Sequence, residues 1–320
     1  MEIGTSVLTA IGHTPLVRLR RVVPADCATI LVKVEGHNPT GSMKGRMAQA
    51  MLAAAEAGGR LRPGGTVVEY TGGSTGAALA LVCAASGYRL RIVSSAAFSE
   101  DKLLQMAALG AELTLVPSEN GRITKQLIRE MIDTAAEFGR EPDTHWTDQL
   151  TNTASIAGYH AMGEEIWEQS GGRVDGFVQA VGTAASLRGA TAPLRQHNPR
   201  LRVVAVEPAE SAVLSGGRPG AHLIEGIGIG YPPPMWDPNL PDEIIPVPTA
   251  DAEAEAMARR LATDEGLFTG TSSGANVIAA IDLGKRLGPD ATVTTILVDS
   301  GLKYLSTNVF RTRTHSREQR

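Results

Sequence analysis

The chain has 320 residues, 42% hydrophobic and 20% charged, with a net charge of −4. That length allows a large buried core in about two lobes, and the near-neutral balance gives no electrostatic footprint for nucleic acid or a membrane surface. No apolar run reaches the ~20 residues of a membrane-spanning helix, the N-terminus lacks the blocks of a signal peptide, and Cys27 and Cys83 make neither a metal-spaced pair nor a disulfide framework, which fits a cytoplasmic protein.

The first signal is a turn, Gly12-His13-Thr14-Pro15, followed by a short alternating strand; His13 reads as a surface turn residue. A β-branched strand over 29–35 runs into Asn38-Pro39-Thr40-Gly41-Ser42-Met43-Lys44-Gly45-Arg46, and an Ala- and Met-rich helix over 46–57 follows. Lys44 therefore stands between strand and helix. The positive end of a helix and partial desolvation both lower an amine pKa, which suits a lysine that attacks a carbonyl. The local sequence also allows a solvated first-turn lysine. The chain holds only six lysines: Lys33, Lys44, Lys102, Lys125, Lys285 and Lys303.

A buried-type strand over 66–70 enters Thr71-Gly72-Gly73-Ser74-Thr75-Gly76, then a helix over 77–86 that carries Cys83 as packing. Free N–H groups and hydroxyls at a helix start suit a carboxylate or phosphate. The same pattern serves a tight turn that binds nothing. Next come a strand over 90–94, a helix over 100–109, a strand over 113–116 and a helix over 123–138. That helix has Ile123, Leu127, Ile128, Met131, Ile132 and Ala135 on one face. A lobe boundary is expected near 149–152, then a helix over 154–169. A strand over 174–181 leads to Gly182-Thr183-Ala184-Ala185-Ser186 and a helix over 187–196, again a helix start that suits an anion. A strand over 201–208 stops at Pro208. The loop-rich stretch over 211–234 contains Gly226-Ile227-Gly228-Ile229-Gly230. This is no dinucleotide fingerprint, because it opens no helix. A helix over 250–265, Gly270-Thr271-Ser272-Ser273-Gly274, a helix over 275–287 and a strand over 292–298 close the series. The last ordered turn falls near Phe310, and 311–320 reads as a flexible tail. Alternating strands and helices predict an α/β fold with parallel sheets.

Six stretches together resemble the pyridoxal-phosphate (PLP) β-family of cysteine synthases, cystathionine β-synthases and serine/threonine dehydratases, the tryptophan synthase β-like fold type II. They are Gly12-His13-Thr14-Pro15-Leu16-Val17, Asn38 through Lys44, Thr71 through Gly76, Gly182 through Ser186, Gly226-Ile227-Gly228 and Gly270 through Gly274. They keep the family order across about residues 8 to 310. The resemblance implies a two-lobed enzyme, each lobe a twisted, mostly parallel sheet flanked by helices, with PLP in the cleft. The larger lobe would comprise 1–41 plus 153–310, and the smaller, mobile substrate lobe 42–152. Lys44 would form the Schiff base and act as the catalytic base. Gly182, Thr183, Ala184, Ala185 and Ser186 would cradle the PLP phosphate, and Ser272 would bond the pyridine nitrogen. Thr71, Gly72, Ser74, Thr75 and Gln149 would hold the substrate α-carboxylate, with Ser74 also at the PLP 3′-oxygen and Gly228 lining the pocket opposite. The implied reaction is β-replacement on an O-activated L-serine through an aminoacrylate, with sulfide or another small nucleophile. β-Elimination and a catalytically silent PLP- or partner-binding module are the alternatives. The implied assembly is a homodimer, with a peptide partner in the cleft conceivable.

Five departures stand out. The family usually has serine at Gly72, asparagine at Ser74, Gly-Gly-Thr at Ala184-Ala185-Ser186 and aspartate at Gly45; its Asn-Pro after the glutamine is also altered, to Asn152-Thr153. Backbone donors survive a glycine-to-alanine change where φ is negative, so phosphate binding is expected to persist.

Overall fold

The computed structural model describes residues 3–118, 124–248 and 253–311. In chain order the elements are β1 (Leu16–Arg18), β2 (Thr29–Val34), α1 (Lys44–Ala57), β3 (Thr66–Tyr70), α2 (Ser74–Ser86), β4 (Arg89–Ser94), α3 (Glu100–Ala108), β5 (Glu112–Leu115), α4 (Lys125–Phe138) and β6 (Thr144–Trp146). Then follow α5 (Ala154–Ala157), α6 (His160–Gln169), β7 (Gly176–Ala180), α7 (Ala185–His197), β8 (Arg202–Pro208), β9 (Glu243–Val247), α8 (Glu253–Glu265), α9 (Thr271–Leu287) and β10 (Thr292–Leu297).

Among the described residues these strands make two sheets, ordered β1-β2-β10-β7-β8-β9 and β5-β4-β3-β6. Every pairing is parallel except the edge pair β1–β2. Parallel strands covered by helices on both faces must be apolar throughout, and β3, β7 and β10 are buried at every position. The α/β class follows from this alternation, and the four strands of the second sheet all fall between residues 66 and 146.

Several elements differ from the sequence reading. Helices α2, α7 and α9 begin at Ser74, Ala185 and Thr271, so the polar glycine loops are partly first turns. The N–H groups there need no intrahelical acceptor, so Ser, Thr and Gly are tolerated where they would weaken a helix interior. The single helix expected over 154–169 is two, parted at Gly158 and Tyr159, where Tyr159 N bonds Ile156 O three residues back. Gly158 sits on the backbone of α1: an added Cβ would lie 2.7 Å from Arg46 O. Strands β6 and β9 carried no usable signal, being only three residues long, Thr144-His145-Trp146, and a proline-bearing edge strand. Ile123 and residues 250–252 lie outside the described residues, as does the expected tail beyond Arg311.

Candidate active site

The chain runs outward from β7 to β8 and β9, then returns through α8 and α9 to lay β10 on the other side of β7. That reversal opens a crevice beyond the carboxyl ends of β10 and β7, where open α/β sheets bind ligands. Loops from β2, β7 and β10 end there. Met43 N bonds Val298 O at 3.0 Å, and Ser42 bridges Asp299.

Lys44 is the first residue of α1 and is partly buried. Among the described residues its ammonium has no hydrogen bond or ion pair. Burial lowers its pKa to about 8, and the Asp299 carboxylate opposes that shift. Asp299 is itself buried, with Oδ2 accepting from Tyr304 at 2.9 Å and Oδ1 unpartnered.

Ser272 is 2% exposed in the first turn of α9. Its neighbour Ser273 is committed to Thr269 and to Val298 N, at 2.6 and 2.9 Å. The Ser272 hydroxyl has no protein partner among the described residues, and Thr271 Oγ1 is buried without one. On the next strand, Gly182 is pressed against the glycine segment: a Cβ there would lie 2.5 Å from Gly226 O. Ala184 caps α7 in the left-handed region, φ +70°, so the condition of a negative φ fails at this alanine, whereas Ala185 meets it. The loop keeps its turn at a cost of about 1–2 kcal/mol. The N–H groups of Ala185, Ser186 and Leu187 precede the first helical bond, from Arg188 N to Ala184 O; of these Ala185 N donates to Thr183 Oγ1 at 3.4 Å, which leaves those of Ser186 and Leu187 without a partner among the described residues. Gly228, at φ +63°, is tied to Val181 O through its N–H.

The loop after β3 presents the start of α2, whose first helical bond runs from Ala77 N to Gly73 O. Thr71 Oγ1 accepts from Gly73 N, which leaves its proton free. Thr75 spends its proton on Gln149 Oε1 at 2.8 Å, and Gln149 Nε2 holds Tyr70 O at 2.9 Å. Thr75 thus positions Gln149 and donates no further. The Ser74 hydroxyl is uncommitted. Gly72 faces the edge of the Phe98 ring, which lies 2.5 Å from where a Cβ would stand.

Four polar groups here escaped sequence reasoning. Buried Glu69 accepts from Thr147 Oγ1, Gln149 N and Tyr70 N and so carries Gln149. Asp299, Gln179 and Asn276 are the others, all within 4% of full burial. The signal for Gln179 and Asn276 was present: each is a lone amide inside an apolar run, and buried amides need partners. Contacts tie several of the expected segments together: Gln179 meets Met43, Ser186 and Asn276, Gly182 meets Gly226, and Lys102 lies against Gly73 and pairs with Glu225. Among the described residues no cluster of three His, Cys, Asp or Glu is placed to hold a metal.

These features suit a pyridoxal phosphate: an unpaired lysine of lowered pKa, an unpartnered buried hydroxyl, and a glycine–alanine turn opening a helix toward an anion. The family model for pyridoxal-phosphate dependent enzymes matches residues 7–299, and the chain belongs to that family. Within it the chain is 38% identical to the cysteine synthase of Staphylococcus aureus over 307 residues, 95% of this chain and 96% of that one. It resembles the crystal structure of cysteine synthase from Entamoeba histolytica, with a TM-score of 0.89 and 34% identity over 98% of this chain and 92% of that one. The structure of O-ureido-L-serine synthase is as similar, with a TM-score of 0.89 and 34% identity over 99% and 98% of the two chains.

Proposed function

We propose that this chain is a PLP-dependent β-replacement enzyme of the cysteine synthase type, acting on an O-activated L-serine with sulfide or another small nucleophile. The observation that carries the reading is Lys44, the first residue of α1, whose ammonium has no hydrogen bond or ion pair among the described residues and whose pKa burial lowers to about 8. PLP, when bound, supplies the electron sink for chemistry at the substrate α- and β-carbons. Lys44 Nζ holds the cofactor and takes the proton from the substrate α-carbon. Ser272 would hold the ring nitrogen with a neutral hydroxyl, supplying no negative charge to keep that nitrogen protonated, and so would suit chemistry that expels a β-substituent. Gly182, Thr183, Ala184, Ala185 and Ser186 bind the phosphate. Thr71, Gly72, Ser74 and Gln149 bind the α-carboxylate, with Thr75 holding Gln149; Gly228 lines the opposite wall. The smaller lobe spans 42–152 and carries the carboxylate loop, and the larger spans 1–41 and 153–310. The chain works as a homodimer in the cytoplasm.

The test compares wild type and Lys44→Ala in visible absorbance, then supplies O-acetyl-L-serine with and without sulfide. The expected outcome is a visible cofactor band that depends on Lys44, acetate release, and a new amino acid only when sulfide is present. Pyruvate formed without a nucleophile would move the reading to β-elimination. A protein that takes up no PLP would overturn it.

A further inference from the structure

Gln179 is the penultimate residue of β7 with no exposed surface, an amide in a strand of otherwise apolar residues. Its partners form a chain whose polarity the backbone dictates. Asn276, on the second turn of α9, accepts Ala180 N–H on Oδ1 at 2.7 Å and donates Nδ2 to Ile296 O at 2.9 Å. A backbone N–H only donates and a carbonyl only accepts, so the Asn276 amide has one possible orientation. Its Nδ2 therefore also faces Gln179, and Gln179 Oε1 accepts it at 2.9 Å. Gln179 is then fixed in turn. Its Nε2 donates to Ser186 Oγ at 3.0 Å and reaches Met43 Sδ at 3.8 Å, beside Lys44.

The consequence falls on Ser186, 6% exposed on the first turn of α7. Because its oxygen accepts from Gln179, its single proton must point elsewhere, and no acceptor for it exists among the described residues. An unspent hydroxyl proton at a helix start, beside unpaired N–H groups, is a donor aimed at an anion.

We propose that Gln179, held by Asn276, is a positioning residue: it bars Ser186 from donating into the core and directs the hydroxyl proton to the anion bound by the 182–186 turn. This rests on the reading of that turn as the phosphate cradle. The same amide touches segments beside Lys44, Ser186 and Ser272, so one buried network sets three parts of the site.

The test measures PLP affinity of the full chain by equilibrium titration of the visible band, with the ³¹P resonance of the bound cofactor as a second readout. Melting of the cofactor-free protein serves as the fold control. Ser186→Ala is expected to weaken binding about 10- to 100-fold, the range for a charge-assisted donor, and Ser186→Thr to bind as wild type. Gln179→Glu offers an acceptor that captures the serine proton, with a similar loss. Gln179→Leu competes for no proton and is expected to lose only about 3- to 10-fold, the range of a neutral bond. The deciding result is non-additivity: in the Ser186→Ala background either Gln179 change should add less than about 3-fold. Equal factors in both backgrounds would overturn the positioning role while leaving the cradle intact. Unchanged affinity and ³¹P shift in Ser186→Ala would overturn the cradle and the proposal with it. Should Gln179→Glu fail to fold, the Gln179→Leu cycle decides alone.

Discussion

Burial, only partly offset by the Asp299 carboxylate, sets the titration of Lys44. Its pKa is about 8 in the fold against 10.5 for the free side chain. Between those values the unfolded chain holds a proton that the folded lysine has shed. The residue's contribution to stability therefore rises with pH across that window. The rate at which cofactor-free protein captures PLP should likewise rise as pH passes through about 8, which stopped-flow absorbance would record; a flat profile would show that amine protonation does not limit capture. Ala184 makes a second prediction at this scale. Glycine at a left-handed position relieves the Cβ contact but costs unfolded-state entropy, so Ala184→Gly should stabilise by about 0.5–1 kcal/mol in thermal unfolding. At Gly72 the Phe98 ring edge occupies the space of a side chain, so Gly72→Ser should destabilise by about 1–3 kcal/mol and be rescued by Phe98→Ala.

Helix α1 delivers Lys44, and its first turn is anchored by a buried charge cluster. Arg46 forks between Glu35 and Glu165 through four contacts of 2.7–2.8 Å, and Lys33 joins Glu165 at 2.6 Å. Gly12 and His13 N–H groups dock on Asn38 and Glu165, so the first turn of the chain closes on the same cluster. Arg46→Met leaves buried Glu35 without a cation and Glu165 with Lys33 alone, and should cost about 3–5 kcal/mol in denaturant unfolding. Burial raises the Glu165 carboxyl, but Arg46 and then Lys33 outweigh it and hold the pKa at about 2 against 4.5. Its stabilisation is present above pH 4.5 and lost as pH falls toward 2, a loss that Glu165→Gln should abolish in acid-unfolding curves. The existence of most helices was legible from apolar periodicity, as in α4. Their starts were not, because α2 opens on Ser74-Thr75-Gly76 and α9 on Thr271-Ser272-Ser273-Gly274, residues that read as loop until the N–H groups of a first turn account for them, while the first turn of α7, Ala185-Ser186, is continuous with the Gly182-Thr183 loop.

Across the whole molecule, the two sheets are joined over the crevice by named contacts. The Lys102 side chain lies against Gly73, caps the Tyr304 ring at 4.6 Å and pairs with Glu225 of the glycine segment. Lys303 reaches Gln105 on α3 at 2.6 Å, and Gln105 bonds Thr40 O in the loop before Lys44. Glu225→Ala removes the partner of a nearly buried ammonium. Amide exchange in 99–109 and 222–230 should then accelerate while β7 and β10 stay protected. Faster exchange throughout would instead mark global destabilisation. The order of polar loops along the chain, each placed after an apolar strand, already determined the α/β class and put Lys44 and the three glycine-bearing loops at helix starts, because these depend on local periodicity. Tertiary structure alone decided which hydroxyls stay free, that Phe98 fills the place beside Gly72, and that Gln179 and Asn276 address Ser186. Those facts depend on which donors meet which acceptors across β7, β10 and α9, and residues about a hundred positions apart meet only once the sheet is assembled.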